Sequence, residues 1–259
     1  MTAVTIVMTY YNRSDQLRLT LRSFRAFYGI NLPGIQVIIV DDGSNPSSTA
    51  RQVLAEENFD ATLIEISPQD KTWTNPCVPF NRGFAAATGD IVFIQNAESL
   101  HMGPILNCAR SIVNQTNYVV FPCYSTTQEQ LHKLVQLHNV PDVQWYQEVQ
   151  KVLEPTLNDQ WYHHPTQNPT WYHFASAMTR DNLRGRLGGF NEAFANGYCF
   201  EDNEFLLRIR RSGLKIPVIN PNQGYVAHLW HPKNPALHGG CPLWEKNRKL
   251  YLSTLEGRG

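Results

Sequence analysis

The sequence lacks a cysteine framework, a signal peptide and an excess of charge of either sign. Its five cysteines are widely spaced and odd in number, and none forms a Cys-x-x-Cys pair, which fits reduced thiols better than disulfides or a zinc site. The short apolar start runs directly into Tyr10-Tyr11-Asn12-Arg13 and does not resemble a cleavable leader. We therefore expect a reducing, cytoplasmic setting.

Charge and hydropathy exclude further classes. Lys plus Arg and Asp plus Glu number 22 each, so neither nucleic acid nor an anionic membrane is expected as the main partner. Every apolar run is shorter than the roughly 20 residues that cross a bilayer. We expect no transmembrane segment, although a peripheral membrane contact is compatible with the sequence. With 259 residues and no repeat or convincing linker, the chain reads as a single composite domain over 1–259.

What the sequence does contain is an alternation of short β-branched runs and amphipathic stretches over about the first hundred residues. This alternation predicts an α/β fold whose mostly parallel central sheet is flanked by helices. Strands are expected at 4–8, 36–40, 61–66, 91–94 and 118–122. Helices are expected at 14–28, with Ser14 as its cap, and at 47–58, 81–88 and 104–113.

Residues 125–170 differ in composition, being polar, aromatic and interrupted by proline, with Trp145 and Trp161 among them. Two interpretations stay open. The stretch is either a variable insert that lines an acceptor cleft or a helical excursion whose aromatic residues pack a thin core.

The first two strands end in residues suited to a nucleoside. Thr9, Tyr11 and Asn12-Arg13 provide a hydroxyl, an aromatic face and an amide, and Asp42 can accept a hydrogen bond from a base or a ribose. The carboxyl ends of parallel strands form the edge where open sheets bind ligands. The alternative is that Asp41-Asp42-Gly43-Ser44 is only a turn with a helix cap.

Oxygen and nitrogen ligands for a cation follow two other strands. Asn96 and Glu98 are two positions apart, so both side chains can face one side of an extended segment and meet Mg²⁺ or Mn²⁺. A His-x-x-His pair, His228 and His231, ends a later apolar run, and imidazole is a good ligand for Mn²⁺. One of these histidines is expected to complete a site begun at Glu98.

An acidic cluster, Glu201-Asp202-Asn203-Glu204, precedes a helical pattern and follows the glycine-rich stretch 188–197. Acids are common at a helix N-terminus without any function. Asp202 is nevertheless a candidate general base that takes the proton of an acceptor hydroxyl.

In this order, the motifs resemble the GT-A-fold glycosyltransferases of the inverting family 2, and the related galactosyltransferase and chondroitin-polymerase groups. The similarity covers 3 to about 124 and 174 to about 232. It is carried by Thr9-x-Tyr11-Asn12-Arg13, Val40-Asp41-Asp42-Gly43-Ser44, Asn81-x-Gly83 with Ala87-Thr88-Gly89-Asp90, and Gly188-Gly189-Phe190 through Glu201-Asp202. Asn96-Ala97-Glu98 replaces the family's usual Asp-x-Asp.

The resemblance implies a nucleotide-sugar-binding half over 1–103, an acceptor-binding half over 104–232 and a tail over 233–259. It implies sugar transfer from a nucleoside-diphosphate donor, with UDP preferred, to a glycan or glycoconjugate hydroxyl with inversion. Catalysis is expected from Asp202 with support from Glu201, metal binding from Glu98, His228, Asn96 and His231, and donor contacts from Thr9, Tyr11, Asn12, Arg13, Asp41, Asp42, Lys71, Asn81, Asn96 and Gly189.

Two other functions remain compatible with these residues. A catalytically inactive carbohydrate-binding or nucleotide-sugar-binding protein is favoured by the substitution at Asn96. A sugar nucleotidyltransferase shares the nucleotide-binding sheet but would carry a glycine-rich, basic loop after the first strand, where this sequence has Thr9-Tyr10-Tyr11-Asn12.

Overall fold

A six-stranded sheet forms the centre of the protein in a computed structural model, which describes residues 2–153, 163–164, 168–232 and 240–256. Within these ranges the strands are β1 (Val4–Tyr10), β2 (Ile35–Asp41), β3 (Thr62–Glu65), β4 (Ile91–Asn96), β5 (Ser99–Met102), β6 (Val119–Val120), β7 (Cys123–Ser125), β8 (Ala175–Thr179) and β9 (Tyr225–His228). The α-helices are α1 (Ser14–Tyr28), α2 (Ala50–Glu56), α3 (Cys77–Ala86), α4 (Ile105–Ile112), α5 (Gln128–Gln136), α6 (Asp142–Leu153), α7 (Glu201–Arg211) and α8 (Pro242–Leu255).

The strand order of the main sheet is β3-β2-β1-β4-β8-β6. Strands β1 to β4 run parallel to one another, whereas β8 runs antiparallel to both β4 and β6. A second sheet has the order β5-β9-β7. Apolar side chains cover both faces of the main sheet, which suits parallel strands buried between helices. The predicted α/β fold is confirmed.

The first two helices begin in different ways, α1 without a side-chain cap and α2 with one. Helix α1 occupies the predicted residues, but Arg13 is at the cap position and Ser14 is already helical. The Ser14 hydroxyl instead contacts the hydroxyls of Tyr10 (3.1 Å) and Ser48 (2.8 Å). Helix α2 is shorter than predicted because Thr49 forms a capping box with Gln52.

Helix α3 begins four residues before its predicted start. The Asn75 side chain accepts a hydrogen bond from the Cys77 amide (3.0 Å), which caps the first turn. Gly83 then lets the helix approach the sheet, because a Cβ there would lie 2.4 Å from Cγ1 of Val7 and 3.2 Å from Cγ2 of Val40. Helix α3 therefore packs directly against β1 and β2.

The part of the compositionally distinct stretch from 128 to 153 is mainly helical. Helices α5 and α6 lie against α1, and Trp145 of α6 is 1% exposed in a cluster with Leu19 and Leu134. The helical interpretation is therefore the observed one for 128–153, while Trp161 lies outside the described residues.

A buried hydrogen-bonded chain supports the turn between β4 and β5. Gln95 donates from Nε2 to the carbonyls of Asn96 (3.3 Å) and Ser99 (3.1 Å), and its Oε1 lies 2.7 Å from Nε2 of His101. Nδ1 of His101 is 2.8 Å from the Tyr28 hydroxyl. Because an amide oxygen only accepts, Nε2 of His101 carries the proton and Nδ1 accepts from Tyr28.

None of the described helices is long and apolar enough to cross a membrane. All five cysteines are free thiols.

Candidate active site

Three parallel strands end side by side and carry the first site residues. Thr9 of β1 pairs with Val40 of β2 on one side and with Asn96 of β4 on the other. The Asp42 amide donates to the Tyr10 carbonyl (2.9 Å) and extends this alignment past the end of β2. The structure therefore brings together the strand ends at which the sequence predicted a ligand site.

The two aspartates after β2 have different environments. Asp41 is 3% exposed, and its two carboxylate oxygens accept from the amides of Ser44 (2.9 Å) and Ala50 (2.8 Å). We therefore assign Asp41 to the turn and to the start of α2, in agreement with the turn-and-cap alternative. The expectation that Asp41 binds the donor stays a prediction, and the observed partners of its two oxygens are backbone amides.

Asp42 faces a small polar pocket. Its carboxylate lies 2.8 Å from Nζ of Lys71 and accepts from Nε1 of Trp73 (2.9 Å). Burial raises the pKa of Asp42, and the contacts with Lys71 and Trp73 oppose that rise. The same ammonium lies 4.5 Å from the ring centre of Tyr11, which is 49% exposed. Asp42, Lys71 and Tyr11 thus offer an anion, a cation and an open aromatic face at one place.

Asn12 links the loops after β1 and β2. Its amide donates to Oγ of Ser44 (3.0 Å), and its side-chain oxygen accepts from the Asn45 amide (2.8 Å). Asn12 has φ 52°, in the left-handed region that asparagine tolerates better than most residues. The contacts observed for Asn12 therefore fix the loop after β1 to the loop after β2.

Glu98, His228 and His231 form a cluster at the opposite side of the strand ends. One ligand atom from each residue lies within 4.8 Å of the other two. Oε1 of Glu98 is 3.6 Å from Nε2 of His228 and 3.5 Å from Nε2 of His231. The cluster arises because β5 pairs with β9 so that Ser99 is opposite His228, and the Leu229 amide donates to the Glu98 carbonyl (2.8 Å).

This cluster fits a divalent cation. Ligand atoms held about 2.1 Å from one cation lie roughly 3.0–3.5 Å apart, close to the observed spacings. Two imidazoles and one carboxylate suit Mn²⁺ better than Mg²⁺, which prefers oxygen alone. Among the described residues, no side-chain hydrogen bond joins Asn96 to this cluster. The structure thus brings together Glu98 and both histidines and leaves Asn96 at the end of β4.

Arg13 also contacts the cluster, through an ion pair between its Nη1 and Oε1 of Glu98. Burial alone would raise the pKa of Glu98, but Arg13, His228 and His231 outweigh burial and hold this pKa well below its usual range. Glu98 is therefore a carboxylate at any ordinary pH. The expectation for Arg13 was a donor contact, and its observed partner is the metal-ligand candidate.

The acidic pair lies at the N-terminus of α7. Glu201 is 6% exposed and accepts from Nδ2 of Asn75 (2.6 Å), while the half-buried Asp202 accepts from the Asn203 amide (2.7 Å). Burial raises the pKa of Asp202 well above its usual value, and the nearby Glu201 raises it further. A raised pKa suits a general base that works near neutral pH. Glu204, in contrast, pairs with Arg208 (2.7 Å) within the helix.

Asn81 and Gly189 meet, but through loop-holding contacts. Asn81 accepts from the Phe190 amide (2.8 Å) and donates to the Phe190 carbonyl (2.8 Å) and to Glu192 (2.9 Å). The Gly189 carbonyl accepts from Arg208 (2.8 Å). The donor role expected of Asn81 stays a prediction, and in the structure its side chain joins the loop around Gly189 to α3.

Two residues that sequence reasoning missed join the halves of the site. Trp73 contacts Asp42, and Asn75 contacts Glu201, so the segment 71–75 spans from Asp42 to the acidic pair. The amides of Thr74 and Asn75 also donate to the Ala195 carbonyl (3.0 and 3.1 Å). A tryptophan in a polar loop and an Asn-Pro dipeptide before a helix were the available signals.

The family model described as Glycosyl transferase family 2 matches residues 5–194, which is most of the chain but ends before Glu201. No functionally curated protein matched the sequence.

Solved structures share the fold at low identity. TarS of S. aureus (residues 1–349) has a TM-score of 0.59 at 13% identity, over 88% of this chain and 60% of that one. The same protein in complex with UDP-GlcNAc gives 0.60 at 15% identity, over 90% and 60%. The mannosyltransferase PcManGT of Pyrobaculum calidifontis, in complex with GDP-Man and Mn²⁺, gives 0.56 at 18% identity, over 100% and 65%. The chain thus spans about 60–65% of the length of these proteins.

Proposed function

Because the chain belongs to glycosyl transferase family 2, a family of inverting glycosyltransferases, we propose that it transfers a hexose from a nucleoside-diphosphate donor to a hydroxyl acceptor. The observation that carries the proposal is the cluster of Glu98, His228 and His231 beside the aligned strand ends. We propose UDP as the preferred nucleotide and a glycan or glycoconjugate as the acceptor. The solved relatives hold UDP-GlcNAc or GDP-Man and do not select between the two bases.

The proposed donor pocket is formed by Tyr11, Asp42 and Lys71. The exposed ring of Tyr11 can stack on a base, and Asp42 has lone pairs left to accept from a base imide or a ribose hydroxyl. Lys71 provides a positive charge for a phosphate. Thr9 and Asn12 frame this pocket from β1, which is the role we propose for them.

The residues for the transfer step lie at the two ends of the site. A bound Mn²⁺ or Mg²⁺ would offset the charge of the departing diphosphate. Glu98, His228 and His231 would hold that cation, with Asn96 as a weaker or water-mediated contact. Asp202 would take the proton of the acceptor hydroxyl while the hydroxyl oxygen attacks the anomeric carbon and the nucleoside diphosphate leaves. Glu201 would fix Asp202 in place. Direct displacement inverts the anomeric carbon and needs no covalent enzyme intermediate.

The free state of the cysteines bears on the cellular compartment. All five cysteines are free, and we propose a reducing, cytoplasmic compartment on that ground.

A donor panel tests the proposed function. The purified chain is incubated with UDP-GlcNAc, UDP-glucose, UDP-galactose and GDP-mannose, with and without Mn²⁺, and the released nucleoside diphosphate is measured. Release that depends on both one donor and the metal supports the transferase. Tight donor binding in a thermal-shift assay without any release, across this panel, would support the inactive binding protein.

A further inference from the structure

The backbone just before the acidic pair adopts a rare conformation. Cys199 and Phe200 are consecutive residues with φ of 59° and 71°, so both lie in the left-handed region. Residues other than glycine pay for this conformation and keep it only when their surroundings enforce it. Because α7 begins at Glu201, this pair of residues sets the direction in which Glu201 and Asp202 leave the loop.

The surroundings that enforce it come largely from helix α8. Asn247 donates from Nδ2 to the carbonyls of Phe194 (2.9 Å) and Cys199 (2.9 Å), which lie at either end of the loop. The Phe200 ring lies between two rings of α8, with centres 5.1 Å from Trp244 and 5.7 Å from Tyr251.

The backbones of the loop and the helix also meet directly. The Tyr198 amide donates to the Leu243 carbonyl (3.1 Å). A Cβ on Gly197 would lie 2.2 Å from Oδ1 of Asn247 and 2.8 Å from that same carbonyl. The loop therefore reaches α8 only because residue 197 has no side chain.

Helix α8 adds little to the apolar core. Along Pro242–Leu255, all of which is described, the buried residue is the polar Asn247, whereas Leu252 and Leu255 are 40% and 44% exposed. Its remaining hydrogen bonds go to Arg211 at the end of α7. A helix that buries an asparagine against one loop is suited to hold that loop and contributes little to the sheet core.

We propose that α8 is the positioning element for the general base, with Asn247, Trp244 and Tyr251 holding the Cys199–Phe200 pair so that Asp202 points at the acceptor. This inference rests on the proposed function, since it assigns Asp202 as the base. Asn75 supports the same loop from the other side, through the Cys199 carbonyl (3.4 Å) and Glu201 (2.6 Å). Two segments of the chain, α8 and the one that carries Asn75, thus contact the residues that precede Asp202.

The test compares Asn247→Leu with the control Lys249→Leu, which changes an exposed residue of the same helix. Leucine matches asparagine in size but cannot donate. Displacing a reacting group by about 1 Å costs roughly 100-fold in rate, so we expect kcat to fall by about that factor in Asn247→Leu while the Kd for UDP and for Mn²⁺ changes less than about threefold. Hydrogen exchange of the free protein should accelerate over 197–205 and stay unchanged in the main sheet.

A second variant guards against misfolding. Trp244→Leu removes a ring from Phe200 without leaving a buried polar group unpaired, and we expect a smaller loss, about tenfold in kcat, with the same local change in exchange. Unchanged exchange over 197–205 in both variants would show that α8 does not hold this loop. Faster exchange with kcat within threefold of the parent would overturn its role in catalysis.

The two readouts separate this inference from the proposed function. Exchange needs no turnover, whereas failure of the proposed function appears in the parent protein as the absence of transfer from every donor. In that event hydrogen exchange alone decides whether α8 holds the loop. The claim that the loop positions Asp202 as a general base is then withdrawn.

Discussion

The metal-ligand cluster and the acidic pair are built in opposite ways. Glu98 and His228 are fixed by the pairing of β5 with β9, and Glu98 forms an ion pair with the opposite charge of Arg13. Asp202 follows two left-handed residues in a loop, is held from α8, and lies beside the like charge of Glu201. The opposite charges in the first region stabilise it. In the second region two carboxylates lie side by side, which is unfavourable, and contacts from α8 keep this arrangement in place.

The largest expected effect comes from removing the base. Asp202→Asn keeps the size of the side chain but cannot take a proton, and loss of a general base costs about 10²–10⁴-fold. We expect kcat to fall at least 100-fold with the donor Kd nearly unchanged. Asp60→Asn, at an exposed aspartate, is the matched control. Transfer within tenfold of the parent in Asp202→Asn would remove Asp202 from the mechanism.

The next effect concerns the other region. Glu98→Gln removes the anionic ligand, and we expect Mn²⁺ affinity, measured by titration calorimetry or electron paramagnetic resonance, to weaken by about 100-fold or more, beyond the 10–100-fold typical of supporting residues. Glu129→Gln, on the exposed face of α5, controls for lost charge. Equal Mn²⁺ affinity in both variants would place the cation elsewhere.

The pH dependence should distinguish the regions more finely. Transfer needs ionised Asp202, so kcat/KM should fall as pH drops below its raised pKa. Glu201→Gln keeps an oxygen for Asn75 but removes the like charge, which lowers the pKa of Asp202. The acidic limb of the profile should then move to lower pH. A limb that stays in place, or moves upward, would show that Glu201 does not act on the base electrostatically.

The smallest effects are on stability, and they should have opposite signs. The folded pKa of Glu98 is lowered, so its stabilisation is present above its unfolded value of about 4.3 and is lost as pH falls. The folded pKa of Asp202 is raised, so its ionised form costs stability once pH exceeds about 3.9.

In chelator-treated protein at pH 7, Glu98→Gln should therefore lower Tm, and Asp202→Asn should raise it. A change of about 1 kcal/mol corresponds to roughly 2–4 °C for a chain of this size. Differential scanning calorimetry measures both variants. Shifts of the same sign would contradict the contrast between the two regions.

Sequence reasoning succeeded where local pattern determines structure. Runs of β-branched residues predicted the strands, and the rule that parallel strands end at one edge brought Thr9, Asp42 and Asn96 together. A metal site that joins Glu98 to one of the two histidines was expected, whereas the structure brings both to Glu98 through a strand register that is a tertiary property. The observed partners of Asp41 and Asn81 lie in turns and loops, because the side-chain types that bind ligands are also the ones that cap turns.

The residues that sequence reasoning missed have partners far along the chain. Asn75 contacts Glu201, 126 positions away, and Asn247 contacts Cys199, 48 positions away. A lone asparagine carries no periodic signal, so only the folded chain shows which carbonyl or carboxylate it meets. The segment 233–259 was for this reason read as a tail, although its helix α8 contacts the loop before Asp202.

The chain of Tyr28, His101 and Gln95 has a consequence for how the metal-bearing turn responds to its environment. Burial lowers the pKa of His101 to about 3, so this imidazole stays uncharged wherever the protein is folded and active. The three side chains of this hydrogen-bonded chain, which support the turn between β4 and β5, are thus uncharged. The turn that carries Glu98 is therefore supported by hydrogen bonds between uncharged groups. Its shape should stay constant across the pH range in which the acidic pair gains and loses its proton.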